Sequence, residues 1–180
     1  DGRAEALLSD THRLLMNQEA ICRWGILSAA GIARKNWQAI KNAPNAELAA
    51  VASRDPNNAV AFINECQSQV PHENVPEAMG SYEALIERED IDAIYLPLPT
   101  GVRKEWVLRA AEAGKHVLVE KPCGVHADDV TEMLQACEAN QVQFMDGVMF
   151  MHSQRLAALR ETIDDPESIG QIRRITSHHS

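Results

Sequence analysis

The amino-acid sequence predicts an α/β fold, a doubly wound parallel sheet followed by the beginning of a second α/β domain. Short Val- and Ile-rich segments alternate with segments of helical periodicity, which is the pattern of repeated βαβ units. One apolar segment, 116–119, runs into Glu120-Lys121-Pro122, where a central strand must stop at the proline. Lys121 is therefore predicted at the edge of the sheet where α/β proteins bind ligands, with a surface lysine beside a turn proline as the alternative.

Local signals justify each predicted element in order. Asp55 before Pro56 is an N-cap followed by proline at the first helical position, and Ser81 is a second candidate cap. Two prolines mark residues 67–80 as irregular. The predicted strands cover 21–27, 47–52, 91–96, 116–119 and 142–145, and the predicted helices cover 32–41, 56–66, 81–88, 104–113 and 128–140.

Composition excludes several classes of function. The chain of 180 residues is 45% hydrophobic and carries Lys+Arg 17 against Asp+Glu 26, a net charge of −9. This balance repels nucleic acid and anionic membrane surfaces, and no apolar run is long enough to span a bilayer. The four cysteines form no C-x-x-C pair and no zinc spacing, so we expect no metal site. Reduced thiols indicate the cytoplasm, with an organelle as the alternative.

Residues 1–20 are expected to form a loose amphipathic helix or a tail. The segment contains acidic residues and lacks an apolar stretch of the kind found in signal peptides, which argues against an intact signal or transit peptide. The first residue is Asp1 rather than Met, so we expect a processed or incomplete N-terminus.

Cationic side chains follow several of the predicted strands in this acidic chain. Right-handed crossovers would bring these turns to one edge of the sheet, where the cations would indicate an anionic ligand. Ordinary solvated loops are the alternative. The residues concerned are Arg34, Lys35, Arg54, Arg103, Lys104 and Lys121.

The turn after the first strand is a candidate phosphate site. The dinucleotide-binding pattern G-x-G-x-x-G uses glycine for a tight turn, for close approach of the backbone to the pyrophosphate, and for helix–strand packing. Ser28, Ala30 and Ala33 occupy these positions here, and the glycines are displaced to Gly25 and Gly31. All three substitutes are small, and free N–H groups at the start of the helix would still face a phosphate.

The end of the second strand indicates which dinucleotide is bound. An acidic residue there would bind the ribose 2′-hydroxyl of NAD, whereas an arginine accommodates the 2′-phosphate of NADP. Ser53 and Arg54 supply a hydroxyl and a guanidinium, and Asp55 is explained as the helix cap. The sequence therefore predicts NADP as the cofactor, with NAD as the alternative.

These motifs together resemble the Gfo/Idh/MocA oxidoreductases, in particular the dihydrodiol-dehydrogenase-like members. The resemblance extends in order and spacing from Ile21 nearly to the end of the chain. It is carried by residues 23–33, 51–54, 95–100, 113–116 with 120–122, and 143–149.

The resemblance implies a Rossmann dinucleotide-binding domain over 21–146, and a second α/β domain with a largely antiparallel sheet that begins at 147–180. It implies that Lys121 lies beside the nicotinamide and the reacting oxygen, that Glu120 orients it and holds its charge, and that the bond before Pro122 is cis. It also implies a homodimer formed through the sheet of the second domain. The implied cofactor-binding residues are Ser28, Ala30, Gly31, Ile32, Ser53, Arg54, Leu98, Pro99, Thr100, Glu120, Lys121 and Pro122.

Two residues depart from the family pattern and leave the substrate open. Arg103 stands where many members have His, and Met151 stands where dihydrodiol dehydrogenases have Arg. Beyond them the sequence predicts a helix over 153–163 and a strand over 171–177, so the chain resembles the N-terminal portion of a longer oxidoreductase. His178 and His179 are interpreted as a polar terminus, and His126 as part of a capping turn.

Three functions are compatible with these patterns. The first is an NADP-dependent oxidoreductase that transfers a hydride to or from a sugar, polyol or diol. The second is a non-catalytic dinucleotide-binding module or pseudoenzyme. The third, a methyltransferase-like fold that binds adenosylmethionine, requires an acid at the end of the second strand, where Arg54 stands.

Overall fold

Six parallel strands form one sheet in the order β3-β2-β1-β4-β5-β6, as seen in a computed structural model that describes residues 20–165, 167–174 and 176. This order is that of a doubly wound dinucleotide-binding sheet, so the predicted fold class is confirmed. The strands are β1 Cys22–Leu27, β2 Ala46–Ala52, β3 Glu77–Met79, β4 Ala93–Leu96, β5 His116–Val119 and β6 Phe144–Asp146. The helices between them are α1 Ala33–Asn42, α2 Pro56–Gln69, α3 Tyr82–Ile86, α4 Thr100–Glu112 and α5 Ala127–Ala139.

Apolar cores cover both faces of the sheet. Successive side chains of a strand point to opposite faces, and Ile26 and Leu27 accordingly belong to different clusters of buried residues. One cluster packs under α1 and α2 around Trp37, which is 1% exposed and donates its indole N–H to the carbonyl oxygen of Val70 at 2.8 Å. The other packs under α3, α4 and α5. Strands buried on both faces explain the continuous apolar runs in the sequence.

The capping signals are confirmed at three helices. The Asp55 carboxylate accepts a hydrogen bond from the amide of Asn57 at 2.9 Å, with Pro56 in the first turn of α2. Ser81 accepts from the amide of Ala84 at 3.1 Å at the start of α3. His126 is exposed and is the N-cap of α5, as its interpretation as a capping turn predicts.

Three differences from the predicted elements have physical reasons. Strand β3 was not predicted, because it is only three residues long and lies at the sheet edge after a proline-containing segment. Helix α4 begins at Thr100, earlier than predicted, because Pro99 precedes the helix as its N-cap. The predicted strand over 171–177 is wrong where the structure describes it: residues 171–174 and 176 form no strand, since a lone strand has no partner to pair with.

The chain divides into two compact units at the bond between Asp146 and Gly147. In the second unit, a 3₁₀ helix, Met149–His152, precedes α6, Gln154–Asp164, whose N-cap Ser153 accepts from the amide of Arg155 at 3.3 Å. The predicted N-terminal helix or tail falls outside the described residues except for residue 20, and His178 and His179 lie outside them entirely.

None of the helices among the described residues is long and apolar enough to cross a membrane. The four cysteines are all free thiols.

Candidate functional site

The site is built at the carboxyl edge of the sheet, around the central strand β1. Strand β1 pairs with β2 on one side and with β4 on the other, so the chain turns to opposite sides of the sheet from this point. Doubly wound folds bind ligands in the crevice that this reversal opens between neighbouring turns. The turns after β1, β2, β4 and β5 carry the residues that the sequence singles out.

Ser28 takes a glycine-like conformation in the turn after β1. Its φ is +126°, a value that L side chains rarely adopt, and its amide donates to the carbonyl oxygen of Ala52 at 2.9 Å. The chain thus makes the tight turn of the dinucleotide-binding pattern with a serine in the position of the first glycine. The first glycine of the pattern is missing from the sequence, but a positive φ is present at its position.

The start of α1 presents unpaired amides next to Ser28. The turn is closed by a hydrogen bond from the amide of Ala33 to the carbonyl oxygen of Ala30 at 2.9 Å, and Ala33 itself is fully buried against the sheet. Among the described residues, the amides of Ala30, Gly31 and Ile32 have no acceptor. Amides of this kind at a helix start suit a phosphate group.

A cavity of about 660 Å³ opens between the turns after β1 and β2. Ser28, Ser53 and Arg54, three of the residues that the sequence predicts to bind the cofactor, line it. Arg54 is exposed and makes no hydrogen bond or ion pair with any other described residue, so its guanidinium is available to a ligand. Arg34 and Glu65 line the same cavity.

Arg34 is held by a carboxylate in this cavity. Its Nε and Nη2 donate to the two Glu65 oxygens at 3.0 and 2.7 Å, and its guanidinium lies 5.5 Å from the centre of the Phe62 ring. The hydrogen bond from Arg34 keeps the pKa of the Glu65 carboxyl below its ordinary value. Arg34 is therefore already paired, unlike Arg54.

A second cavity of about 600 Å³ lies between the turns after β1 and β4. It shares three lining residues with the first, so the two form one groove along the edge of the sheet. The shared residues are Ser28, Arg54 and Tyr82; the predicted residues Ala30, Leu98 and Pro99, together with Trp106, also line the second cavity.

The turn after β5 carries Lys121, and the Lys121–Pro122 peptide is cis, as the resemblance implies. Lys121 is exposed and has no ion-pair partner among the described residues. The Glu120 carboxylate does not pair with it; it accepts a hydrogen bond from the Tyr95 hydroxyl at 2.6 Å. Burial, and then this hydrogen bond, raise the pKa of Tyr95.

Arg103 corrects the prediction that the cations after the strands all face a ligand. It is 4% exposed, and its guanidinium donates to the backbone carbonyl oxygens of Leu98, Glu120 and Pro122. Long aliphatic stems let arginine reach inward from a helix, and the sequence could not show that direction. Lys104 is also engaged, in ion pairs with Asp129 and Glu132.

The groove does not include every predicted residue. Gly31, Ile32, Thr100, Glu120, Lys121 and Pro122 line neither cavity. Sequence reasoning missed Tyr82 and Trp106, which pack edge to face at 5.1 Å, and the buried Tyr95. Tyr95 carried a usable signal, because a tyrosine inside a buried strand needs a hydrogen-bond partner.

Comparison with known proteins agrees with this architecture. The sequence profile of an oxidoreductase family with an NAD-binding Rossmann fold matches residues 22–148. A D-xylose 1-dehydrogenase (NADP(+)) of Haloferax volcanii is 36% identical over 157 residues, which are 87% of this chain and 46% of that protein. The trans-1,2-dihydrobenzene-1,2-diol dehydrogenase of Mus musculus is 35% identical over 143 residues, 78% of this chain and 41% of that protein.

A solved structure has the same fold. The 3-ketoreductase from Actinomadura kijaniata, crystallised with TDP-benzene and NADP, matches with a TM-score of 0.75 and 32% identity over 85% of this chain and 46% of that one. The chain thus spans less than half the length of each of these three proteins. With the matched profile covering most of its residues, the chain belongs to the Gfo/Idh/MocA oxidoreductase family.

Proposed function

We propose that this chain is the cofactor-binding part of an oxidoreductase that transfers a hydride between NADP(H) and a carbinol or carbonyl group of a sugar, polyol or diol. The observation that carries the proposal is the groove at the carboxyl edge, where Ser28 keeps the glycine conformation and Arg54 is an unpaired cation. Its relatives with sugar and dihydrodiol substrates support the substrate class.

NADP is favoured over NAD by the end of β2. Ser53 and Arg54 line the cavity there, and Asp55, the nearest acid, is occupied as the cap of α2. A guanidinium forms strong charge-assisted hydrogen bonds with a phosphate, whereas the ribose hydroxyl of NAD calls for a carboxylate. The relative from Haloferax volcanii is named for NADP, which supports the same choice.

Lys121 and Glu120 are the residues that we assign to catalysis. NADP(H) would supply or accept the hydride. The Lys121 ammonium would donate a hydrogen bond to the reacting oxygen of the substrate and stabilise the negative charge that develops there. Glu120, bound to the Tyr95 hydroxyl, would hold the turn that carries Lys121 in place.

The rest of the chain suits a two-domain enzyme. Residues 147–180 would begin the substrate domain. Met149, Phe150 and Met151 are all at least 60% exposed in the second unit. Apolar side chains grouped in this way are usually covered in a folded protein, and the rest of a substrate domain would cover them. A homodimer through that domain and a compartment that keeps thiols reduced, such as the cytoplasm, complete the proposal.

Titration of the chain with NADPH and NADH tests the cofactor assignment. Arg54→Ala should weaken NADPH binding by about ten- to a hundredfold, the value of one or two charge-assisted hydrogen bonds, and should leave NADH nearly unchanged. Arg155→Ala removes an exposed arginine from the second unit and is the matched control. Equal losses for both cofactors, or no binding of either, would refute the proposal.

A second measurement separates the enzyme from a non-catalytic binding module. In the enzyme that includes the substrate domain, Lys121→Met should abolish the turnover of sugars, polyols or diols with NADP(H) while leaving NADPH affinity within about twofold, because the lysine acts on the reacting oxygen. A wild-type protein that includes the substrate domain, binds NADPH and turns over none of these substrates would instead favour the binding module.

A further inference from the structure

Arg103 is a buried cation whose partners are all backbone carbonyl oxygens. Burying a charge is costly unless it is fully hydrogen-bonded, so this position of the guanidinium needs a structural reason. In the described part of the chain, no carboxylate forms an ion pair with it. The structural role of the buried guanidinium must therefore lie in the two turns whose carbonyl oxygens it binds.

The guanidinium joins the turn after β4 to the turn after β5. Its Nε and Nη2 donate to the Leu98 oxygen at 3.1 and 2.5 Å. Its Nη1 donates to the oxygens of Glu120 and Pro122, which lie on either side of Lys121 in the chain. The backbone that carries Lys121 is thus held from both sides by one side chain.

No hydrogen bond or ion pair fixes the Lys121 side chain among the described residues. Its own side chain is exposed and unpaired, so its direction follows from the backbone of its turn. Tyr95 holds the Glu120 side chain at 2.6 Å, and Arg103 holds the Glu120 main chain. Only arginine offers five N–H donors in a planar fork, whereas lysine offers three from one point and histidine at most two.

We infer that Arg103 is a positioning residue for Lys121: by holding the carbonyls of Glu120 and Pro122 against that of Leu98, it fixes where the lysine ammonium meets the cofactor and substrate. This inference rests on the proposed function. It assigns a role to a residue that stands where other members of the family carry histidine.

Hydrogen exchange of the unliganded chain tests the contact itself. Arg103→Met should speed exchange of the Glu120 amide, which donates to the carbonyl oxygen of Leu96 at 3.4 Å, by about tenfold or more, because the turn loses the side chain that holds it. The amides of β1 and β2 should stay unchanged. Lys104→Met, which removes the neighbouring cation with its surface ion pairs, is the matched control and should leave the turn unchanged. Unchanged exchange in the turn of Arg103→Met, or equal acceleration throughout the sheet, would overturn the inference.

Cofactor binding tests the consequence for the site. Arg103→Met should weaken NADPH about tenfold more than 2′,5′-ADP, a probe that lacks the nicotinamide half, and Arg103→Lys should recover part of the difference. Equal weakening of both ligands, or no recovery by lysine, would mean a purely structural role. If the wild-type chain binds neither ligand, the proposed function fails, and hydrogen exchange alone decides whether Arg103 holds the turn.

Discussion

Ser28 shows how a single residue can satisfy a motif that its identity violates. It stands at the first glycine position of the dinucleotide-binding pattern and adopts a φ of +126°. A side chain in such a conformation costs of order 1–3 kcal/mol, and this cost persists only where the surrounding fold imposes it. The sequence alone therefore leaves the phosphate turn ambiguous. The motif is defined by glycine residues, and a serine at a glycine position does not reveal that its φ is positive.

Relief of this cost gives the first prediction. Ser28→Gly should raise the free energy of unfolding by about 1 kcal/mol, since glycine adopts positive φ without strain. Ala29→Gly, at a neighbouring position without positive φ, should instead lower it by about 0.5–1 kcal/mol through backbone entropy. Urea unfolding of both variants checks the pair. A Ser28→Gly protein as unstable as the Ala29→Gly protein would contradict the strain argument.

Glu65 gives a second prediction at the residue scale. Its carboxylate lines the proposed NADP cavity and holds Arg34 through two hydrogen bonds. Glu65→Gln should free Arg34 for the 2′-phosphate and remove a negative charge, so NADPH affinity should rise about two- to fivefold, the modest size of an exposed ion pair.

Calorimetric titration with NADPH and NADH measures this effect. Glu73→Gln, which neutralises an exposed carboxylate outside both cavities, controls for the change in net charge. NADH affinity should stay the same in both variants. A loss of NADPH affinity in Glu65→Gln would mean that the ion pair helps to bind the phosphate rather than competing with it.

At the scale of the element, most strands and helices followed from local signals. Strand β5 has the predicted bounds, and α2 begins where Asp55 and Pro56 indicated, because capping is a short-range interaction that the sequence records. The prediction missed strand β3 and wrongly placed a strand over 171–177. Whether such a segment forms a strand depends on a neighbouring strand with which it can pair, and local sequence patterns do not contain that information.

Gly25 in β1 shows how closely an element can be fitted to its neighbours. A Cβ atom added there would lie 2.6 Å from Leu85 Cδ2 and 3.2 Å from the Cδ1 atoms of Ile91 and Ile94, all of which are buried. We therefore expect Gly25→Ala to lower the free energy of unfolding by about 1–3 kcal/mol through overpacking.

Thermal or urea unfolding measures that loss. Gly101→Ala in α4 is the matched control, because nothing lies within 4 Å of an added Cβ and alanine favours helices. That variant should be neutral or more stable by up to about 1 kcal/mol. If Gly25→Ala is equally harmless, the core under β1 is looser than the distances indicate.

At the scale of the whole molecule, stability should depend on pH through His72. The ring is 8% exposed, lies edge to face with Trp37 at 4.7 Å, and its Nε2 donates to the Trp37 carbonyl oxygen at 3.1 Å. Burial lowers the pKa of His72 in the folded state, and the charges of Lys41 and Glu47 act on it in opposite directions. Between the lowered pKa of the folded state and the ordinary pKa of histidine, His72 is therefore protonated in the unfolded chain and neutral in the folded one.

The protein should therefore lose stability in acid because of His72. Above about pH 6.5, the ordinary pKa of histidine, the ring is neutral in both states and costs nothing. As pH falls below that value, the free energy of unfolding should decrease, by at most about 1.4 kcal/mol per pH unit from this one group. Urea unfolding at several pH values should show a flatter dependence for His72→Gln. An equal slope in the variant would assign the effect to other groups.

The order of the strands has a consequence for synthesis of the chain on the ribosome. Of the six described strands, β1 is made first but lies in the middle of the sheet, and its second neighbour, β4, begins only at Ala93. When the nascent chain has emerged up to β3 but not β4, one hydrogen-bonding edge of β1 is unpaired. The apolar residues Ile26 and Leu27 of β1 are then exposed as well. Such an edge is a template for pairing with other chains. Emergence of β4 from the ribosome would cover this edge of β1 and so lower the risk of aggregation.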